Sequence, residues 1–124
     1  MKQVISTPNA PAAIGPYSQA YEANGVIYCS GQIGIDPKTG AVVEGGIKEQ
    51  TEQVLKNIEA VLTAAGSGFE KVVKTTCFLS DMSLFADFNA IYASKFVSLP
   101  ARSCVAVKGL PKGVDVEIEV IALV

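Results

Sequence analysis

One arginine, Arg102, stands among nine lysines in this 124-residue chain, in the run Pro100-Ala101-Arg102-Ser103-Cys104-Val105. A lysine ammonium suits a solvated surface, whereas a planar five-donor guanidinium grips a carboxylate through two parallel hydrogen bonds. The stretch from Ala101 to Lys108 reads as a β-strand, and a later strand carries Glu117 and Glu119. Two arrangements fit. Arg102 faces a small pocket for an anionic molecule, or it closes an internal salt bridge to one of those glutamates, and spacing does not separate them.

The chain has no histidine. That excludes Ser-His and Cys-His nucleophile pairs and a histidine metal cluster. No GxGxxG or phosphate-loop run of glycines offers a cradle for a nucleotide, so no cofactor is expected. Acid–base work then falls to Glu, Asp, Tyr, Cys or water held by them. Glu117 and Glu119 are the leading acids, because the last strand is expected to fix them near Arg102. Desolvation would raise a glutamate pKa there and the arginine would lower it.

Other candidates surround this pair. Cys104 lies two residues from Arg102 and shares its strand face, either as a pocket thiol or as a small core residue. Tyr17 follows the bend Ile14-Gly15-Pro16, which can throw its ring over a pocket or into the core. Ser30-Gly31 interrupts an apolar strand, where a bare backbone admits close approach of an anion or simply makes a bulge.

These residues must be positioned by a small α+β unit. Tyr17 to Ala23 and Val26 to Ile35 read as strands joined by an Asn24-Gly25 hairpin. The turn Asp36-Pro37-Lys38-Thr39-Gly40 leads to a short strand from Ala41 to Val43. Ile47, Val54, Leu55, Ile58, Val61, Leu62 and Ala65 then share one helical face, ended by Gly66. Val72 to Leu79 reads as a strand. Ser80-Asp81-Met82-Ser83 supplies caps for a second helix bearing Leu84, Phe88, Ile91 and Phe96. Two strands follow Pro100, with Gly109 to Gly113 turning between them. The order predicted is β-β-β-α-β-α-β-β, a mixed sheet covered on one face by two helices.

In the last strand Val116, Ile118, Val120 and Ala122 point one way, and Glu117, Glu119, Ile121 and Leu123 the other. The second face mixes acids with large aliphatics, so a further layer from another copy of the chain is expected over it. Hydrophobic residues make up 49% and charged residues 18%, which fits one domain over residues 1–124 with apolar surface left to cover. A net charge of −2 gives no reason to expect nucleic-acid binding. No apolar run spans a bilayer and no extended signal region opens the chain. Three scattered cysteines form no CxxC, so neither disulfide staples nor a metal site is expected, and the cytoplasm is the expected compartment.

Several motifs in order resemble the RidA/YjgF/UK114 family over essentially the whole chain. They are Asn9 to Ala20, Tyr28-Cys29-Ser30-Gly31-Gln32-Ile33-Gly34, Gln50 to Ile58, Pro100 to Val105, Leu110-Pro111 and Val116-Glu117-Ile118-Glu119. The resemblance implies a chorismate-mutase-like fold and a homotrimer with clefts between subunits. It implies hydrolysis of small 2-imino and enamine acids to 2-oxo acids and ammonia, with no metal or organic cofactor. By position it implies that Arg102 binds the substrate carboxylate and that Glu117 positions the attacking water. The Ser30-Gly31 backbone and Cys104 would line the site, with Tyr17 at its edge and Asn89 nearby. Two other readings attach to the same fold: a non-catalytic, regulatory trimer that binds small carboxylates, and an endoribonuclease or translation inhibitor.

Overall fold

A computed structural model describes residues 2–124. Six strands form one sheet: β1 (Lys2–Ile5), β2 (Ala20–Ala23), β3 (Val26–Cys29), β4 (Val72–Leu79), β5 (Ala101–Ala106) and β6 (Val116–Leu123). Two helices, α1 (Ile47–Ala64) and α2 (Phe85–Lys95), lie against one face. The sheet order is β1-β2-β3-β6-β4-β5, with β4 and β5 parallel and every other pair antiparallel. This is the expected α+β class, with a mixed sheet and the expected number of strands on each side of the helices.

The helices form for local reasons. In α1, Val54, Leu55, Ile58, Val61 and Leu62 are buried at helical spacing against the sheet. Glu49 reaches back to accept from the Gly46 N–H at 2.9 Å, and the chain leaves the helix through Gly66 at φ 76°, a left-handed turn natural to glycine. Asp81 caps the entrance to α2, its carboxylate accepting from the Ser83 N–H at 2.8 Å ahead of a 3₁₀ turn, Met82–Leu84. Val116, Ile118, Val120 and Ala122 of β6 lie buried beneath the helices as their alternation requires.

The third strand is not where the sequence reading placed it. Ala41 to Val43 makes only an isolated bridge between Val42 and Ile35, and the missing strand is the edge strand β1. The run Val26 to Ile35 breaks after Cys29 and touches the sheet again only where Gln32 exchanges two backbone hydrogen bonds with Ile118, at 2.8 and 3.1 Å. Likewise β2 begins at Ala20 rather than Tyr17. Just before it, the buried Gln19 side chain binds Thr7, Ala10 and Pro11 backbone groups, so residues before Ala20 are tied to the N-terminal segment instead of a ladder.

The face away from the helices is open and carries an apolar row beside Glu117 and Glu119. Val4, Tyr21, Tyr28 and Ile121 follow one another across four strands in register. Val4, Tyr21, Tyr28, Val105 and Leu123 are all exposed.

Candidate active site

Arg102 sits on edge strand β5, paired in register with Thr75 of β4, which in turn pairs with the buried Val120. Its side chain therefore shares the helix-covered face. There Phe85, Asn89 and Tyr92 project from α2 at spacings of four and three residues, one stripe of the helix. The Arg102 Nη1 donates to Asn89 Oδ1 at 2.6 Å. The guanidinium lies 4.7 Å from the Tyr92 ring centre and 5.4 Å from that of Phe85. Tyr92 is itself held by a 2.7 Å hydrogen bond between its hydroxyl and Thr75 Oγ1. Asn89 takes one of five N–H donors, and no ion pair to Arg102 occurs among the described residues. A cleft of about 460 Å³ opens here between Asn89, Tyr92, Phe96, Leu99, Pro100 and Arg102.

Cys104 follows on the same face, opposite Cys77 in register. Burial raises its thiol pKa despite the pull of the Arg102 charge, and Cys77 is pushed up to about 12, chiefly by burial. Both thiols are therefore protonated at neutral pH and are poor nucleophiles.

Glu117 belongs to the other face. It pairs with Phe78, while Arg102 lies in the row of Thr75, so one chain keeps the two side chains on opposite sides of its sheet. The expected proximity of Glu117 and Glu119 to Arg102 within the chain does not hold. An internal salt bridge is ruled out by the same geometry.

Glu117 lines a cavity of about 420 Å³ with Ile14, Tyr17, Ser30, Gly31, Ile33 and Lys112. Its carboxylate lies over Gly31, where an added Cβ would displace it, so the bare backbone lets the Glu117 side chain sit where it does. The Ser30 hydroxyl donates to the Ser18 carbonyl at 2.6 Å and the Ser30 N–H to the Gln19 carbonyl at 2.9 Å. Ser30 thus fastens the loop that carries the exposed Tyr17 at the cavity wall. Burial, then the neighbouring Glu119 charge, raise the Glu117 pKa above the ordinary carboxylate value. Arg102 lies on the other face and does not oppose them.

The predicted residues thus fall into two groups. Arg102, Asn89 and Cys104 gather on one side; Glu117, Gly31, Ser30 and Tyr17 on the other. Phe85 and Tyr92, which flank Arg102, were not singled out from the sequence. Their spacing from Asn89 on α2 is the signal that identifies them.

The family model described as Endoribonuclease L-PSP matches residues 7–124. A mouse protein named 2-iminobutanoate/2-iminopropanoate deaminase is 52% identical over 124 residues, covering 99% of this chain and 92% of the mouse protein. A Lactococcus lactis protein named as a regulator, AldR, is 54% identical over 121 residues, covering 97% and 96% of the two chains. A Rid-family crystal structure from Yersinia pestis, of a protein called YyfA, superposes with a TM-score of 0.97 at 56% identity, over the full length of both chains. With the motifs, the fold and these likenesses in agreement, the chain belongs to the RidA/YjgF/UK114 family.

Proposed function

We propose that this protein hydrolyses reactive 2-imino acids and their enamine tautomers, such as 2-iminobutanoate and 2-iminopropanoate, to 2-oxo acids and ammonia. The reaction takes place in clefts shared between chains of a homotrimer. The observation that carries this reading is an arginine held ready by Asn89 and two rings with no acid partner among the described residues, while an apolar cavity with one carboxylate lies on the opposite sheet face. A substrate touching both must sit between two chains. The exposed row Val4, Tyr21 and Tyr28 supports such an assembly, since an apolar face of this kind is covered in a stable oligomer.

In that cleft the remaining Arg102 donors take the substrate carboxylate and fix the C=N carbon. Glu117 accepts a proton from water as the water oxygen bonds to that carbon and the π pair moves to nitrogen. The resulting carbinolamine takes that proton back from Glu117 on its nitrogen, the C–N bond breaks, ammonia leaves, and the hydroxyl becomes the carbonyl as its proton passes to Glu117. Gly31 lets Glu117 and the water approach the backbone, Tyr17 closes the edge of the cleft, and Cys104 walls the Arg102 side as a neutral thiol. The reading calls for no metal or organic cofactor, because a protonated imine is already electrophilic. One acid–base group of this kind contributes ~10²–10⁴-fold. The identity of about 50% to curated imine deaminases supports this activity. The free Cys29, Cys77 and Cys104 support a cytoplasmic setting.

Regulation through carboxylate binding is the second reading, favoured by the relative named as a regulator. Binding alone needs no carboxylate of raised pKa beside Gly31, which is why hydrolysis is preferred. An endoribonuclease role has the family description behind it but no basic stripe, with nine lysines against twelve acids in the chain. The test is hydrolysis of 2-iminobutanoate generated in place by a dehydratase or amino-acid oxidase, followed as keto-acid release. Wild type accelerates release, and Arg102→Ala abolishes the acceleration with the oligomer intact. Near-normal turnover in Arg102→Ala removes the anchor role.

A further inference from the structure

Three non-glycine residues among those described hold φ in the left-handed region: Asn24, Leu99 and Lys112, at 52°, 51° and 56°. Asn24 belongs to the Asn-Gly hairpin, where such an angle is the rule. Lys112 likewise shares a two-residue left-handed turn with Gly113, at φ 66°, closed by the Val114 N–H on the Pro111 carbonyl at 3.3 Å, whereas no such turn accounts for Leu99. Leu99 lines the cleft beside Arg102, and Lys112 lines the cavity beside Glu117. A bulky residue held in this region is strained and persists where the surroundings dictate it, commonly at functional sites. Leu99 is 88% exposed and its N–H is bound to the Phe96 carbonyl at 3.2 Å. The turn therefore spends conformational strain to present a large apolar side chain outward at the mouth of the Arg102 cleft.

We infer that Leu99 is a specificity-determining residue, the wall against which the side chain of the imino acid packs. This rests on the shared-cleft reading above. If Arg102 reaches across to the Glu117 cavity of the next chain, Leu99, three residues away at the same mouth, goes with it. The receiving cavity is lined by Ile14, Ile33 and Ile35, so Leu99 completes an apolar enclosure around whatever projects from the carbon between carboxylate and nitrogen. A methyl group on that carbon reaches the wall least, and a branched aliphatic chain reaches it most. Because the backbone there already has a glycine-like angle, Leu99→Gly removes the wall while relieving the strain.

The experiment compares kcat/KM for 2-iminopropanoate and for 4-methyl-2-iminopentanoate, each generated in place by an amino-acid oxidase. The enzymes are wild type, Leu99→Gly and Leu99→Met. In Leu99→Gly the ratio of the long to the short substrate falls on the order of tenfold, the scale of a lost apolar contact in a specificity pocket. Leu99→Met, which restores volume, recovers most of the ratio. A ratio unchanged in Leu99→Gly, or both substrates falling equally, overturns the assignment while leaving the hydrolase reading in place. Wild type inactive on both substrates removes the hydrolase reading, and this inference with it.

Discussion

At residue scale, the burial that raises the Glu117 pKa has two consequences of opposite value to the protein. A carboxylate with a pKa moved toward neutrality is the better base, so Glu117→Gln is expected to lower kcat by ~10²–10⁴-fold with a smaller effect on carboxylate binding. The acid limb of the kcat/KM profile should lie above the ordinary carboxylate range and should vanish in the glutamine variant. For stability the sign runs the other way. With the folded pKa above the unfolded one, the folded state binds the proton more tightly, so stability falls as pH rises from the unfolded value through the folded one. Thermal melts should therefore show Glu117→Gln melting above wild type at neutral pH, with the two curves converging in acid, where both side chains are neutral. A loss of kcat matched by an equal loss of binding would make Glu117 a structural acid.

At element scale, the cavity wall depends on an irregular segment between β3 and α1 that has no ladder to hold it. The fully buried Asn57 of α1 donates from Nδ2 to the carbonyls of Ile33 and Ile35, at 3.1 and 2.9 Å. Asn57→Ala should leave the Ile35 carbonyl unmet and the Ile33 carbonyl with only the Ile35 N–H, at 2.8 Å, and cost about 1–3 kcal/mol, read as a lower melting temperature. Since Ile33 and Ile35 line the Glu117 cavity, KM for the imino acid should rise as well. An unchanged KM would separate this segment from the site. The helices and the last strand were legible in the sequence because their signals are local: the apolar stripe of α1 and the alternation of Val116 to Ala122 each report a single element against one face. Strand β1 was not legible. Four residues on an edge carry no turn signal and little alternation, and their pairing with β2 is a long-range choice. Val42 failed as a strand because only one partner, Ile35, comes within reach.

At the scale of the whole molecule, the separation of Arg102 from Glu117 makes a prediction that neither residue makes alone. If each cleft takes its arginine from one chain and its glutamate from the next, Arg102→Ala and Glu117→Gln chains should complement each other. Unfolded and reassembled together in equal amounts, two inactive variants should give about a quarter of wild-type activity, since one pairing in four brings both intact groups to a cleft. Light scattering should report a trimer throughout, and no recovery in the mixed trimers would place both groups in separate sites. The sequence by itself determined the inventory: one guanidinium suited to a carboxylate, two acids on a strand, no histidine, and an apolar face in want of cover. Only the tertiary structure decided that Arg102 and Glu117 lie on opposite faces. Alternation fixes which residues of one strand share a side, but the side itself is set by how that strand pairs with its neighbours. On β5, exposed along nearly its whole length, no burial pattern in the chain records that choice.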